Sequence, residues 1–231
     1  MAVGPRSLAD PSAHRRPKVI RATVLLALLL VSRAEALDVD LGSYHDARRA
    51  GALGAVAGKV QAESRTPTGQ PRPMTGATVV LLPRSPALWG RFERLKAQSR
   101  ESSTAFAAAA PEMRKAKEAY ERELVQAGAP DLTLLVVVEP DGSFRIDDVP
   151  AGSWMLLVWH STPVDVSTPR TKAKDKSLYQ PRPRLQGYQS VTVWLRDVTV
   201  AGRETATLEL TDRTEWFRGV IEERVLDTGG R

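Results

Sequence analysis

Histidine, cysteine and serine set the limits of the chemistry that this chain can perform. Histidine occurs three times in the 231 residues, at His14, His45 and His160, and cysteine is absent. A catalytic zinc site uses three protein ligands, often supplied by a motif that pairs histidine with a nearby glutamate, and a blue-copper centre requires a cysteine. No His-x-x-Glu spacing is present. We therefore predict no metal site and no cofactor.

Hydrolytic and calcium-binding arrangements are equally poorly supported. Ser161 lies beside His160, and Ser102 and Ser103 are further candidate nucleophiles, but the Gly-x-Ser-x-Gly turn of serine hydrolases is absent. Four carboxylates cluster around one turn without the Asp-x-Asp-x-Asp-Gly spacing of a calcium loop: Glu139, Asp141, Asp147 and Asp148. The sequence thus predicts a protein that is not an enzyme.

Aromatic side chains are the remaining groups with binding chemistry, because a flat ring packs well against the apolar face of a sugar. Trp194, Tyr179 and Tyr188 lie in or beside a long polar loop and are the candidate glycan-binding residues. Trp154 and Trp159 are five residues apart in one strand-like segment. They should therefore point to opposite faces, and at least one should be buried.

The first 36 residues have the three parts of a secretory signal. A basic stretch from His14 to Arg21 precedes an apolar run from Ala22 to Val31, and Ala34-Glu35-Ala36 offers small residues for cleavage. The apolar run is about half as long as a membrane-spanning helix needs to be. We expect residues 1–36 to be removed on export to the periplasm or beyond the cell, with an uncleaved anchor as the alternative.

The positive charge of the chain is concentrated in that signal. The net charge is +6, yet residues 1–36 hold six basic and two acidic side chains, and the rest of the chain holds 27 and 25. A nearly balanced chain lacks the basic surface that nucleic acid requires. We predict no nucleic-acid partner, and membrane contact only through an uncleaved signal.

Beyond the signal, the hydrophobic pattern predicts a mainly β protein. Residues 37–53 form an irregular lead-in, after which Ala55 to Gln61, Thr78 to Leu82 and Leu132 to Val138 have the alternating or fully apolar texture of strands. A helical hairpin interrupts them at about 85–129, with Ser85 capping its first helix and Pro111 beginning its second.

The second half of the chain predicts hairpins, a loop, further strands and a helix. Asp141-Gly142 and Val149 to Gly152 are turn sequences and predict two consecutive hairpins. A polar loop runs from Ser161 to Gly187, and strands follow at Ser190 to Leu195 and Glu204 to Leu210. Residues 212–231 are predicted to form a short C-terminal helix and a tail. The predicted fold is a Greek-key-type antiparallel β-sandwich with an inserted helical hairpin and this C-terminal helix.

Several of these motifs, taken in order, resemble the carboxypeptidase regulatory-like domain, a transthyretin-like or starch-binding-like β-sandwich. They are Gly58-Lys59-Val60, the segment from Pro71 to Val79, Asp141-Gly142-Ser143-Phe144 and the segment from Val149 to Trp154. The resemblance covers residues 54–211 without the helical insertion. It implies a non-catalytic accessory module that supports adhesion, folding or carbohydrate contact.

Two functions remain open at this point. One is glycan binding through the aromatic residues near the long loop. The other is assembly in the cell envelope, where the hairpin or an exposed sheet edge would dock a partner protein. The candidate residues on the hairpin are Leu88, Trp89, Phe92 and Leu95. We favour a hairpin that packs back onto the sandwich, because an amphipathic stripe usually belongs to the core.

Overall fold

The computed structural model describes residues 37–64, 66, 69–164 and 183–226, together with Met1. The predicted signal, apart from Met1, and the candidate Tyr179 lie outside these residues. The described compact unit begins at Leu37. Its helices are α1 (Leu41–Arg49), α2 (Pro86–Gln98) and α3 (Ser103–Gln126), with a short 3-10 turn at Pro130–Leu132. Its strands are β1 (Leu53–Ala62), β2 (Arg72–Pro73), β3 (Thr78–Pro83), β4 (Leu134–Val137), β5 (Ser143–Pro150), β6 (Gly152–Val164), β7 (Pro183–Val200), β8 (Thr205–Thr211) and β9 (Phe217–Leu226).

The strands form two sheets, which confirms the predicted mainly β sandwich. In sheet 1, β1 lies between β5 and β8, and the short β2 pairs with the end of β1. Sheet 2 has the order β4-β3-β6-β7-β9, and all of its neighbours are antiparallel. One pairing departs from the expected antiparallel pattern, because β1 and β8 run parallel.

Two apolar clusters hold the unit together. The first lies between the sheets and includes Val56, Leu81, Trp154, Trp194 and Leu210. The second lies between the outer face of sheet 2 and helices α2 and α3, and includes Leu82, Phe92, Met113, Leu157 and Leu195. The hairpin therefore packs onto the sandwich, as we favoured from its amphipathic pattern.

The two predicted hairpins are absent, although both turns form. The turn at Gly142 joins β4 of sheet 2 to β5 of sheet 1, and the turn at Ala151 returns the chain to sheet 2. Gly142 has a φ of 84°, and a Cβ there would lie 2.9 Å from the carbonyl oxygen of Val60. Turn residues fix a local reversal, but the partner of each strand is chosen by packing, so β4 and β6 both pair with β3.

The second insertion helix begins at Ser103 rather than at Pro111. The hydroxyl of Ser102 accepts a hydrogen bond from the amide of Ala105 at 3.0 Å, and Pro111 lies inside the helix. The alanine-rich stretch before Pro111 has the highest helix propensity of any composition, and this outweighs the cost of an internal proline.

The predicted C-terminal helix is wrong. Residues Phe217–Leu226 form β9, which pairs with β7 along the edge of sheet 2. Phe217 and Ile221 face the helices, and the long β7 offers main-chain partners over almost the whole length of β9. Tertiary pairing therefore decides the conformation of a segment whose apolar spacing also suits a helix.

The lead-in is also more ordered than predicted, since it contains helix α1. Tyr44 is buried, meets the Trp154 ring edge-on at 4.9 Å, and its hydroxyl donates to the carbonyl oxygen of Ser153. Asp38 caps α2 by accepting from the amide of Ala87 at 2.6 Å. No helix in the part of the chain described here is long and apolar enough to cross a membrane.

Candidate functional site

Sheet 2 extends beyond sheet 1 at one end of the sandwich. β1 and β8 end side by side, with Gln61 opposite Thr211. At this level the indole N–H of Trp194 donates to the carbonyl oxygen of Thr211 at 2.7 Å. β6, β7 and β9 continue past it, so within the described residues the inner face of sheet 2 extends beyond the paired strands β1 and β8.

The chemistry of that inner face changes at the same point. Side chains alternate along a strand, so every second residue after buried Val158 on β6, and every second residue before buried Trp194 on β7, lies on the same inner face of sheet 2. We call this surface the polar overhang. It consists of His160, Thr162 and Val164 on β6, Tyr188, Ser190 and Thr192 on β7, and Arg218, Val220 and Glu222 on β9.

The overhang is polar with little free charge. Thr162 is exposed, whereas His160, Tyr188 and Ser190 are half-buried. Burial lowers the pKa of the His160 imidazole, and a hydrogen bond to the main chain of Thr75 opposes that shift. The Arg218 guanidinium lies 2.7 Å from the Glu215 carboxylate. The surface thus combines hydroxyl groups, a neutral imidazole and a phenol ring.

The predicted glycan-binding residues are separated by the fold. Tyr188 lies on the polar overhang, in register with Val164. Trp194 is fully buried, so its ring offers no face to a ligand, and that prediction is wrong. The pattern failed there because Trp194 belongs to the long buried part of β7.

The two tryptophans of β6 divide as their spacing predicts. Trp154 is fully buried, and its indole N–H donates to the carbonyl oxygen of Pro150 at 2.9 Å. Trp159 is half-buried on the opposite face of β6, with its N–H 3.0 Å from the hydroxyl of Ser161. The expectation that at least one of the two is core is confirmed.

The predicted docking stripe on the hairpin is not an open surface. Leu88 and Phe92 are buried against sheet 2, so their assignment to partner binding is wrong. Trp89 and Leu95 are half-buried beside them, and the Arg84 guanidinium lies 4.3 Å from the centre of the Trp89 ring. The aromatic face that suggested a partner is instead the face that attaches the hairpin.

Two exposed aliphatic side chains lie close together elsewhere, on β4. Leu135 and Val137 are 57% and 54% exposed, while Leu134 and Val136 point into the core between the sheets. The sequence shows this segment as an unbroken apolar run, which predicts a strand buried on both faces. Its position at the edge of sheet 2 leaves one face open, and periodicity alone does not reveal this.

Metal-binding chemistry does not emerge from the geometry of the described residues. No group of three or more histidine, aspartate and glutamate side chains gathers there in a way that would hold an ion. The carboxylate of Asp141 instead accepts hydrogen bonds from the amide and hydroxyl of Ser143, at 2.9 and 2.6 Å. These bonds lower the pKa of Asp141.

Comparisons with known proteins identify no family. No family model matches the sequence, and no curated protein matches it. Among solved structures, the structure of this chain is similar to that of a candidate carbohydrate-binding protein from Pseudomonas aeruginosa. That similarity has 12% identity and a TM-score of 0.36, and covers 69% of this chain and 88% of the other. A match at this level leaves the function of this chain to be argued from its own residues.

Proposed function

We propose that this chain is a non-catalytic binding module that takes a carbohydrate on the polar overhang. The observation that carries the proposal is the change of the inner face of sheet 2 from apolar to polar where sheet 1 ends. A sugar presents both hydroxyl groups and apolar C–H faces, and its sites combine a few hydrogen-bonding groups with an aromatic ring. Tyr188 supplies the ring here, and Thr162 and Ser190 supply hydroxyls.

The electrostatics of the overhang favour a neutral ligand. Burial lowers the pKa of its histidine and so disfavours the charged imidazole, and Arg218 already has an acidic partner in Glu215. An anionic ligand would have to share that guanidinium with Glu215 and would gain less from it. A neutral glycan needs no cation.

The arrangement around His160 supports a binding role rather than hydrolysis. Ser161, its neighbour in sequence, points to the opposite face of β6 and accepts a hydrogen bond from Trp159. A nucleophilic serine must lie within hydrogen-bonding reach of its base. Export through residues 1–36 and membership of the carboxypeptidase regulatory-like family remain predictions from the sequence, and both are compatible with a glycan-binding accessory module.

The test is affinity electrophoresis of the purified protein in native gels cast with a panel of neutral polysaccharides. We expect at least one polysaccharide to retard the wild type and Tyr188→Ala to remove most of that retardation. Phe106→Ala, at a 38% exposed aromatic residue on α3, is the matched control and should migrate like the wild type. Retardation that survives Tyr188→Ala, or is absent from every gel, would contradict the proposal.

Docking of a protein through a sheet edge is the second candidate function. The exposed Leu135 and Val137 on β4 favour it, since an uncovered aliphatic edge strand is a template for another strand. The helical hairpin does not contribute, because its aromatic face is used inside the unit.

A further inference from the structure

The five edge strands of the two sheets are not alike. Four of them carry charged or polar side chains that are exposed: Arg72 on β2, Arg145 and Asp147 on β5, Thr205, Thr207 and Glu209 on β8, and Arg218 and Glu222 on β9. Such residues prevent sheets from joining edge to edge. β4 has no charged residue between Leu134 and Val138. It is the edge that lacks this protection.

The register of β4 with β3 shows which of its main-chain groups are open. The amide of Val138 donates to the carbonyl oxygen of Ala77 at 2.8 Å, so this pair exchanges hydrogen bonds. Antiparallel pairs alternate, and Leu135 and Val137 therefore direct their N–H and C=O groups away from β3. Within the described residues, no strand lies on that side. The two most exposed side chains of β4 thus belong to the residues with free main-chain groups.

We propose that β4 pairs with β4 of a second copy of this chain. The two strands run antiparallel about a two-fold axis at Val136, so Leu135 of one copy lies opposite Val137 of the other. Each of these pairs exchanges two main-chain hydrogen bonds, and the two sheets 2 become one continuous sheet. This inference deepens the second candidate function and does not depend on glycan binding.

Charge complementarity favours a second copy as the occupant. The Arg48 guanidinium contacts the Asp131 carboxylate just before β4, and exposed Glu139 follows just after it. A two-fold axis at Val136 brings the beginning of each β4 beside the end of the other. Glu139 of one copy therefore approaches the Arg48–Asp131 ion pair of the other, where the five N–H donors of the guanidinium allow it to bind both carboxylates, and this occurs twice. The central part of the contact contains aliphatic residues alone, so no like charges oppose each other there.

The contact is small, which sets the strength that we expect. Stable dimers bury about 1,200–2,000 Å² in total. Two strands of this length contribute four aliphatic side chains and four main-chain hydrogen bonds. We therefore expect a reversible dimer whose population rises with protein concentration.

Sedimentation velocity of the full chain over about a hundredfold range of concentration tests the interface. We expect a monomer–dimer equilibrium that Leu135→Lys weakens about tenfold or more, with the melting temperature unchanged because the residue is exposed. Ala108→Lys is the control, because it adds the same charge at an exposed position on α3, far from β4. This part of α3 packs beside β9 at the opposite edge of sheet 2, where a Cβ on Gly219 would lie 3.3 Å from the Cβ of Ala110. A wild type that stays monomeric at every concentration, or a dimer that survives Leu135→Lys, would overturn the proposal.

Disulfide crosslinking tests the register. The chain has no cysteine, so each introduced thiol is unique. Leu135→Cys and Val137→Cys should crosslink faster when mixed than either variant does alone, because opposite residues of a bonded pair lie about 5.5 Å apart, within disulfide range. Equal rates in the mixture and in the separate variants would exclude this register. Another protein that crosslinks in preference to a second copy would identify a different occupant.

Discussion

Within the described residues, sheet 2 leaves two of its parts uncovered, and these parts have opposite chemistry. The β4 edge presents Leu135 and Val137, which are aliphatic and more than half exposed. The polar overhang presents hydroxyls, an imidazole and the Tyr188 ring. An exposed apolar edge loses free energy to water until another surface covers it, whereas a polar face is stable while open. The edge therefore suits a macromolecular partner, and the overhang suits a polar and exchangeable ligand.

The largest effect is expected at the boundary between the core and the overhang. Trp194→Ala removes a fully buried indole, and large-to-small core changes of this kind cost about 3–5 kcal/mol. Trp194→Phe keeps most of the packing and removes one of the hydrogen bonds to the Thr211 carbonyl oxygen, which still accepts from the amide and hydroxyl of Thr214, so we expect a smaller loss of about 0.5–1.5 kcal/mol. Urea denaturation followed by circular dichroism measures both changes. A Trp194→Ala protein as stable as the wild type would show that the overhang begins closer to the core than described.

One substitution on each surface tests whether the β4 edge and the polar overhang act independently. We expect Tyr188→Ala to weaken polysaccharide binding about tenfold without changing the dimer, because one lost stacking contact is worth about 1.4 kcal/mol. Leu135→Lys should weaken the dimer and leave the intrinsic affinity of each overhang intact. Binding and sedimentation are measured for both variants, with binding recorded below the concentration at which the wild type dimerises.

Any change that affects both properties would link the two surfaces. Loss of polysaccharide binding in dilute Leu135→Lys, for example, would mean that the substitution affects the overhang within a single copy, since the wild type is also monomeric there. If the surfaces are independent, dimerisation still presents two overhangs on one particle, and this raises the avidity for a polymer that repeats the same unit.

Residue patterns predicted the sandwich, the hairpin and the burial of at least one of Trp154 and Trp159, because each depends on local periodicity and caps. They failed where a distant partner decides the outcome. The segment of β9 satisfies a helical spacing, yet β7 provides it with a strand partner. The Asp141-Gly142 turn forms as expected, yet its two flanking strands enter different sheets.

The candidate site was predictable to the same limited extent. Tyr188 was identified because it follows the long polar loop, and the structure places it on the overhang. Trp194 is similarly near that loop in sequence, but it points under sheet 1. Which aromatic residue is open depends on where the opposing sheet ends, and no short stretch of sequence contains that information. The same holds for the open face of β4.

The smallest effect that we expect concerns His160 on the overhang. Its pKa lies below the ordinary value of about 6.5 because burial disfavours the charged imidazole. The unfolded chain therefore binds the proton at a higher pH than the folded protein does. As the pH falls from about 7 toward the lower folded pKa, the unfolded state gains more protons, and the free energy of unfolding decreases. This loss ends once both states are protonated.

Melting temperatures measured between about pH 7 and about pH 5 report this contribution. We expect His160→Gln to flatten that part of the profile, since glutamine keeps a hydrogen-bond donor near Thr75 but does not titrate. Thr162→Val, at the next position on the same face, should retain the wild-type slope. If the His160→Gln profile matched that of the wild type, the imidazole would be hydrated rather than desolvated, and the overhang would be open down to the end of sheet 1. A flattened profile would instead place His160 at the covered base of the overhang, so that Tyr188, Ser190 and Thr162 above it form the surface that a neutral ligand meets.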